Sequence, residues 1–263
     1  MQVGTVAAIY RYPVKSMRGE ALRSAVVTKN GIPGDRGFVL FDPAQRKAAS
    51  AKNVERFPGL LQFTARYLSE ADGAQTLPTV KITFPDGREV RSDEDRCCEL
   101  LSSWFGQATA ISAVTDDESA RPAAGKYSMA GTYFDYAPLH LLTDTALASL
   151  ASQMPQSVIA VERFRPNLLI RHVAAEAFPE NAWTDRELRL GEARVRVTDP
   201  CPRCAMPTLA QANLPRDTRI LKMIARSNMI YTPVLGRKEP CLGTYAFVLE
   251  EGSVSVGDQV WLD

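Results

Sequence analysis

The sequence predicts a mainly β fold of the α+β class, and three observations predict it. β-Branched and aromatic residues gather in short alternating runs toward both ends of the chain, turn residues separate those runs, and a 3.6-residue apolar period surfaces in only a few segments. With 17 prolines and 16 glycines in 263 residues, turns are frequent enough to join many short strands. Two domains are expected: a small N-terminal β-barrel-like module over residues 1–95, and a second, again mostly β domain with a few helices over residues 96–263.

The elements follow in order. Residues 3–12, 22–29 and 38–41 read as strands, with a glycine-rich turn at 30–37. Residues 60–68 and 79–84 read as further strands, and Pro85-Asp86-Gly87-Arg88 as the hairpin leading to 89–92. The period then changes. Cys97, Leu100, Leu101, Trp104 and Phe105 share one helix face over 93–105, with Ser92 or Asp93 as the expected cap, and a strand follows at 109–114. Residues 116–131 are polar and broken by Pro122 and Gly125, as in a linker or lid. An apolar run at 139–142 leads into Thr143-Asp144, which caps a helix to about residue 154. Strands are expected at 168–171, 188–190, 193–198, 245–249 and 259–262, and a flap with one helix at 218–224 within 212–240.

Composition excludes several function classes. A net charge of +1 argues against coating nucleic acid or an acidic membrane, since both need a surplus of positive charge. No apolar run reaches 18 residues, and the N-terminal stretch has no signal-peptide pattern, so no membrane span is expected. Five cysteines, two of them adjacent, do not make a disulfide framework, and the expectation is a cytoplasmic protein with reduced thiols.

Chemistry concentrates in Asp199-Pro200-Cys201-Pro202-Arg203-Cys204. Prolines before each cysteine predict a stiff turn that presents the thiols, and a thiolate beside an arginine suits a metal ligand or a nucleophile. Zinc would need four ligands in paired clusters, and no second pair accompanies this one. A thioredoxin-like dithiol would open a helix, which Pro207 disfavours, and the spacing for an iron–sulfur cluster is missing. Zinc and dithiol exchange remain as minor readings, beside two weightier ones: a capped turn with two inert thiols, or one cysteine ligating a metal that a cofactor otherwise holds.

Three other stretches carry polar groups at strand ends. Lys15 and Ser16 follow the first strand on a loop, as anion-binding groups or a solvated turn. Arg36 lies in a turn between Gly34 and Gly37, suited to clamping an oxyanion. Arg165 and Asn167 flank Pro166 before a strand, where an arginine fork and an amide suit a phosphate or a pterin-like ring edge, or a salt bridge and a turn amide. His140 within its apolar run reads as structural, as do Cys97 and Cys98.

Taken together, Ile9-Tyr10-Arg11-Tyr12-Pro13-Val14-Lys15-Ser16, Gly34-Asp35-Arg36, Arg163-Phe164-Arg165-Pro166-Asn167, Pro200-Cys201-Pro202-Arg203-Cys204 and Val256-Gly257-Asp258-Gln259-Val260 resemble the MOSC family. The likeness is to its two-part members, in which an N-terminal β-barrel module precedes a MOSC-type β-barrel domain, and which include amidoxime-reducing proteins. The resemblance implies a molybdenum cofactor, a pterin whose sulfurs hold the metal, with Cys204 as the protein ligand and catalytic residue. It implies cofactor contacts from Lys15, Ser16, Arg36, Asp135, Arg165, Asn167 and Arg203, with Cys201 outside the metal shell and no pyridoxal phosphate. The implied chemistry is oxygen removal from a small N-hydroxylated substrate, with electrons from a separate ferredoxin- or flavoprotein-like donor, because no ferredoxin domain and no membrane segment are expected. The alternative is a carrier of the cofactor, or of a persulfide sulfur on Cys204, without turnover.

Overall fold

The computed structural model describes residues 1–71, 76–115, 122–123 and 132–263. The expected lid at 116–131 lies outside the described residues, apart from Pro122 and Ala123. Contacts divide the chain into two compact units: a barrel unit of Met1–Tyr10, Ala21–Ile32 and Ala137–Asp263, and a companion unit of Arg11–Glu20 and Pro33–Tyr136. This grouping is not a single cut near residue 95, because the first strand hydrogen-bonds to strands from the C-terminal half.

Seven strands close the barrel: β1 (Gln2–Arg11), β2 (Leu139–Thr143), β3 (Leu168–His172), β4 (Glu187–Leu190), β5 (Ala193–Pro202), β6 (Arg237–Glu250) and β7 (Gln259–Leu262). Their order is β2-β3-β1-β7-β4-β5-β6, and β6 pairs again with β2 to complete the ring. β2 and β3 run parallel, and every other barrel pairing is antiparallel. Closure removes the exposed edges that an open sheet would present. Alternation, reset in β1 by register shifts at Gln2/Gly4 and Val6/Ala8, fills it: Val3, Val6, Ile9, Leu139, Leu141, Leu188, Leu190, Val195 and Val197 are among the residues of one buried cluster. The parallel link passes through helix α2 (Asp144–Gln153), whose first turn is capped as expected, Thr143 Oγ1 accepting from the Ala146 N–H at 3.2 Å. A second cluster packs α2 and α3 (Arg219–Ser227), with Leu142, Ala146, Leu150, Ile220 and Ile224.

The companion unit holds two three-stranded sheets, one of Phe38–Asp42 between Lys47–Ala48 and Ala110–Ala113, the other of Thr64–Tyr67, Val80–Thr83 and Glu89–Arg91. Its own core joins Val14, Met17, Phe63, Val80, Ile82 and Leu101, the last from helix α1 (Cys97–Phe105).

The mainly β expectation holds, with three α-helices among the described residues. Four local expectations differ. Residues 60–62 form a 3-10 turn rather than strand, because Gly59 turns in the left-handed region and adjacent Leu60 and Leu61 are both buried. Residues 20–22 and 24–27 are two strands, the first on β1 and the second on Gly252–Ser255, so one run serves two partners. α1 starts at Cys97 without a side-chain cap, since Ser92 accepts from the Val80 N–H and Asp93 binds Arg91 and Thr79. Finally, the bend expected at 199–204 begins later, for β5 stays paired through Pro202. It pairs Pro200 with Thr244 and Pro202 with Cys241, and register shifts after Val197 and Pro200 absorb the two prolines. Among the described residues, no helix is long and apolar enough to cross a membrane.

Candidate functional site

Cys201 is still in the strand and Cys204 is past its end, and this separates their fates. Cys201 is buried at 2% exposure, whereas Cys204 is half-buried. The Cys204 sulfur accepts from the Met206 N–H at 3.4 Å, at the start of the 3-10 helix Met206–Thr208. Pro207 fits that first turn, where its missing N–H has no partner to lose, and no α-helix opens at the thiols. Burial pushes the Cys97 thiol up to about 12 and the Cys241 thiol up to about 11. Those two are inert core sulfurs, and Cys98 is exposed. Among the described residues no group of three or more His, Cys, Asp and Glu side chains converges as a metal nest. Cys204 could serve as one ligand of a metal that a cofactor otherwise holds.

Arg203 lies between the thiols in sequence and turns back. Its Nη1 donates to the Cys201 sulfur at 3.0 Å, its Nη2 donates to the Phe164 carbonyl at 2.9 Å, and its Cζ stands 5.6 Å from the Phe164 ring centroid. Its Nε is buried and has no hydrogen-bond partner among the described residues. Burial acts against the charge, but Cys201, Tyr245 and Cys204 more than offset it and hold the Arg203 pKa above its ordinary value. Next to Phe164, Arg165 holds φ 55°, in the left-handed region. Asn167 is 1% exposed and stitches three strands: its Oδ1 accepts from the His140 N–H at 3.1 Å and its Nδ2 donates to the Tyr10 carbonyl at 3.4 Å. His140 is structural, its ring nitrogens facing the Arg165 and Leu242 carbonyls at 3.5 and 3.3 Å.

Arg163 is fully buried. Its Nε donates to the Val158 carbonyl, and its terminal nitrogens donate to Pro207, Leu209 and Pro215, at 2.8 to 3.2 Å. That guanidinium ties down the chain immediately after Cys204.

The companion unit brings together the other four predicted residues. Lys15 Nζ donates to the Tyr133 carbonyl at 2.6 Å and to Asp135 Oδ1 at 2.7 Å, and Lys52 donates to Asp135 Oδ2 at 3.3 Å. Burial lowers the Lys15 pKa although Asp135 acts against it. Burial alone would raise Asp135, yet Lys15 and Lys52 outweigh it and hold the carboxyl well below the usual carboxylate range. Arg36 donates to Asp35 and covers the Tyr12 ring at 4.6 Å, and Ser16 Oγ accepts from the Ala51 N–H at 3.1 Å. Gly34 lets this turn pass Tyr67, since a Cβ there would lie 2.5 Å from that ring. Lys52 is the group that sequence reasoning missed, because its stretch shows neither helical nor strand periodicity.

One backbone feature joins the two sets. Among the described residues, seven non-glycine residues have positive φ, and three of them are Ser16, Arg36 and Arg165. Left-handed backbone costs roughly 1–2 kcal/mol at a residue with a Cβ, and such conformations gather at ligand-binding positions.

A mainly β chain with a closed seven-stranded barrel, and a half-buried thiol just past the end of one barrel strand, defines a β-barrel protein. Residues 128–261 match the MOSC domain and residues 3–108 the MOSC N-terminal beta barrel domain, and the chain belongs to the MOSC domain family. It is 25% identical to mitochondrial amidoxime reducing component 2 of Rattus norvegicus, over 99% of this chain and 83% of that protein. It is 26% identical to mitochondrial amidoxime-reducing component 1 of Homo sapiens, again over 99% and 83%. The solved YUAD protein from Bacillus subtilis shares the fold at a TM-score of 0.50 and 11% identity, over 99% of this chain and 95% of that one.

Proposed function

We propose that this protein is a molybdenum-cofactor-dependent oxidoreductase that reduces small N-hydroxylated compounds with electrons from a separate ferredoxin- or flavoprotein-like protein. The observation that carries the reading is the pairing of one half-buried sulfur, Cys204, with a buried guanidinium N–H on Arg203 that has no partner among the described residues. A soft thiolate suits molybdenum, and an unmet donor suits an anionic organic group. Cys204 would hold the metal. By the family likeness, Arg165, Asn167, Arg203, Lys15, Ser16, Arg36 and Asp135 would be the residues that contact the pterin and its phosphate.

When bound, the cofactor supplies the two-electron chemistry of oxygen removal. For the substrate, N–OH plus two electrons and two protons gives N–H and water. The chain's own part is to hold the ligand sulfur at the end of β5, to keep positive charge beside it through Arg203, and to fix the following loop through Arg163. The amidoxime-reducing relatives support this substrate class.

Half-burial of Cys204 also fits a carrier of cofactor or persulfide sulfur without turnover, and one experiment separates the two. Protein from a host that makes the cofactor is analysed for molybdenum and then given benzamidoxime with an artificial reductant. We expect near-stoichiometric metal with turnover, and loss of both in Cys204→Ala. Metal without turnover favours the carrier, and equal metal in wild type and Cys204→Ala overturns the ligand assignment.

A further inference from the structure

We propose that Cys201 is a positioning residue: its sulfur fixes the plane of the Arg203 guanidinium, so that the buried Nε–H points at an oxygen or nitrogen acceptor of the bound cofactor. The inference rests on the cofactor reading for its ligand, but not for the positioning itself. A guanidinium carries five N–H donors in one rigid plane, so fixing both terminal nitrogens fixes the direction of the fifth. Here Nη1 is fixed by the Cys201 sulfur at 3.0 Å and Nη2 by the Phe164 carbonyl at 2.9 Å. The Arg203 backbone N–H donates to the Pro240 carbonyl at 2.7 Å, so the side chain hangs from a backbone that is itself held to β6. The Nε–H is then the one donor group of that side chain left buried and unmet among the described residues. Such a donor costs stability unless something accepts from it.

This gives the C-x-x-C spacing a division of labour. Cys201 stays inside β5 with its sulfur already engaged by the Arg203 Nη1–H at 3.0 Å, while Cys204 lies beyond the strand and is half-buried. Cys201 therefore acts through Arg203 and not on the metal. Alanine at this position would remove the acceptor and let the guanidinium rotate about its remaining contact.

Two measurements test this. In metal-free protein, hydrogen exchange of the Arg203 Nε–H is followed by NMR in wild type, Cys201→Ala and Cys201→Ser. We expect slow exchange in wild type, exchange faster by about tenfold or more in Cys201→Ala, and recovery in Cys201→Ser, whose hydroxyl restores an acceptor. Equal exchange in wild type and Cys201→Ala overturns the proposal whether or not cofactor binds. In cofactor-loaded protein, the rate of pterin loss on dialysis is measured for Cys201→Ala, Arg203→Lys and the double variant. We expect each single change to speed loss by about tenfold and the double to add little, because both remove one oriented donor. Additive losses, or unchanged loss in Cys201→Ala, overturn the proposal. Wild-type protein that never acquires pterin overturns the cofactor reading instead, and the exchange result still decides the positioning. Should Cys201→Ala fail to fold, the comparison of Cys201→Ser with Arg203→Lys carries the same test: slow loss in the first and fast loss in the second is expected, and equal rates overturn it.

Discussion

In the companion unit three cations face carboxylates: Lys15 has Asp135, Arg36 has Asp35 and Arg11 has Glu20. In the barrel unit, Arg163 rests on four carbonyls, and Arg203 on one carbonyl and a sulfur. A cation paired with a carboxylate is already neutralised, and an arriving anion must compete with that partner. A cation held by carbonyls is oriented but keeps its full charge. The companion cluster is therefore self-sufficient without a ligand, while the Arg203 neighbourhood carries charge and one donor with no acceptor among the described residues.

Arg163→Met would test the carbonyl-held side most severely. It leaves four carbonyls without their donor, and we expect a loss of about 3–5 kcal/mol, read as a lower urea midpoint at unchanged m-value. A loss below about 1 kcal/mol would mean that carbonyl-held arginine matters no more than a surface pair.

Asp135→Asn tests the carboxylate-held side with a smaller expected effect. The side chain is 47% exposed, so solvent screens the pair and the loss at neutral pH should be about 1 kcal/mol or less. Lys15 and Lys52 hold the folded carboxyl below its unfolded value of about 3.9, so its contribution is present above about pH 4 and is lost as pH falls through the folded value. Thermal melts from pH 7 down to pH 2 should show the gap between wild type and variant closing in the acid range. A gap that stays constant with pH would separate Asp135 from the ion pair.

The smallest effect is expected at Ala212. It shares the left-handed backbone of Ser16, Arg36 and Arg165 but is not among the candidate contacts. Ala212→Gly should raise stability by about 0.5–1 kcal/mol with cofactor retention unchanged. A fall in melting temperature would show that this position is not strained.

Much of this was legible locally. Alternation marked the barrel strands, Thr143 announced the start of α2, and the ordered motifs pointed to the family. The cap of α1 was misread because Ser92 and Asp93 are taken by partners on the neighbouring strand. Lys52 was missed because nothing in its own stretch indicates that it reaches Asp135, 83 residues away.

The sequence by itself determined the β character, the turn positions and the residue types at each strand end, because backbone torsions and alternation are set by near neighbours. Only the tertiary structure decided that Gln2 pairs with Trp261 to bring the first strand into the C-terminal barrel. It alone decided that Lys15 meets Asp135 across 120 residues, and that two cysteines of one motif part company, one sealed in β5 and one beyond its end. Those outcomes depend on which strands pair and where pairing stops, and that is fixed by packing among residues distant in the chain.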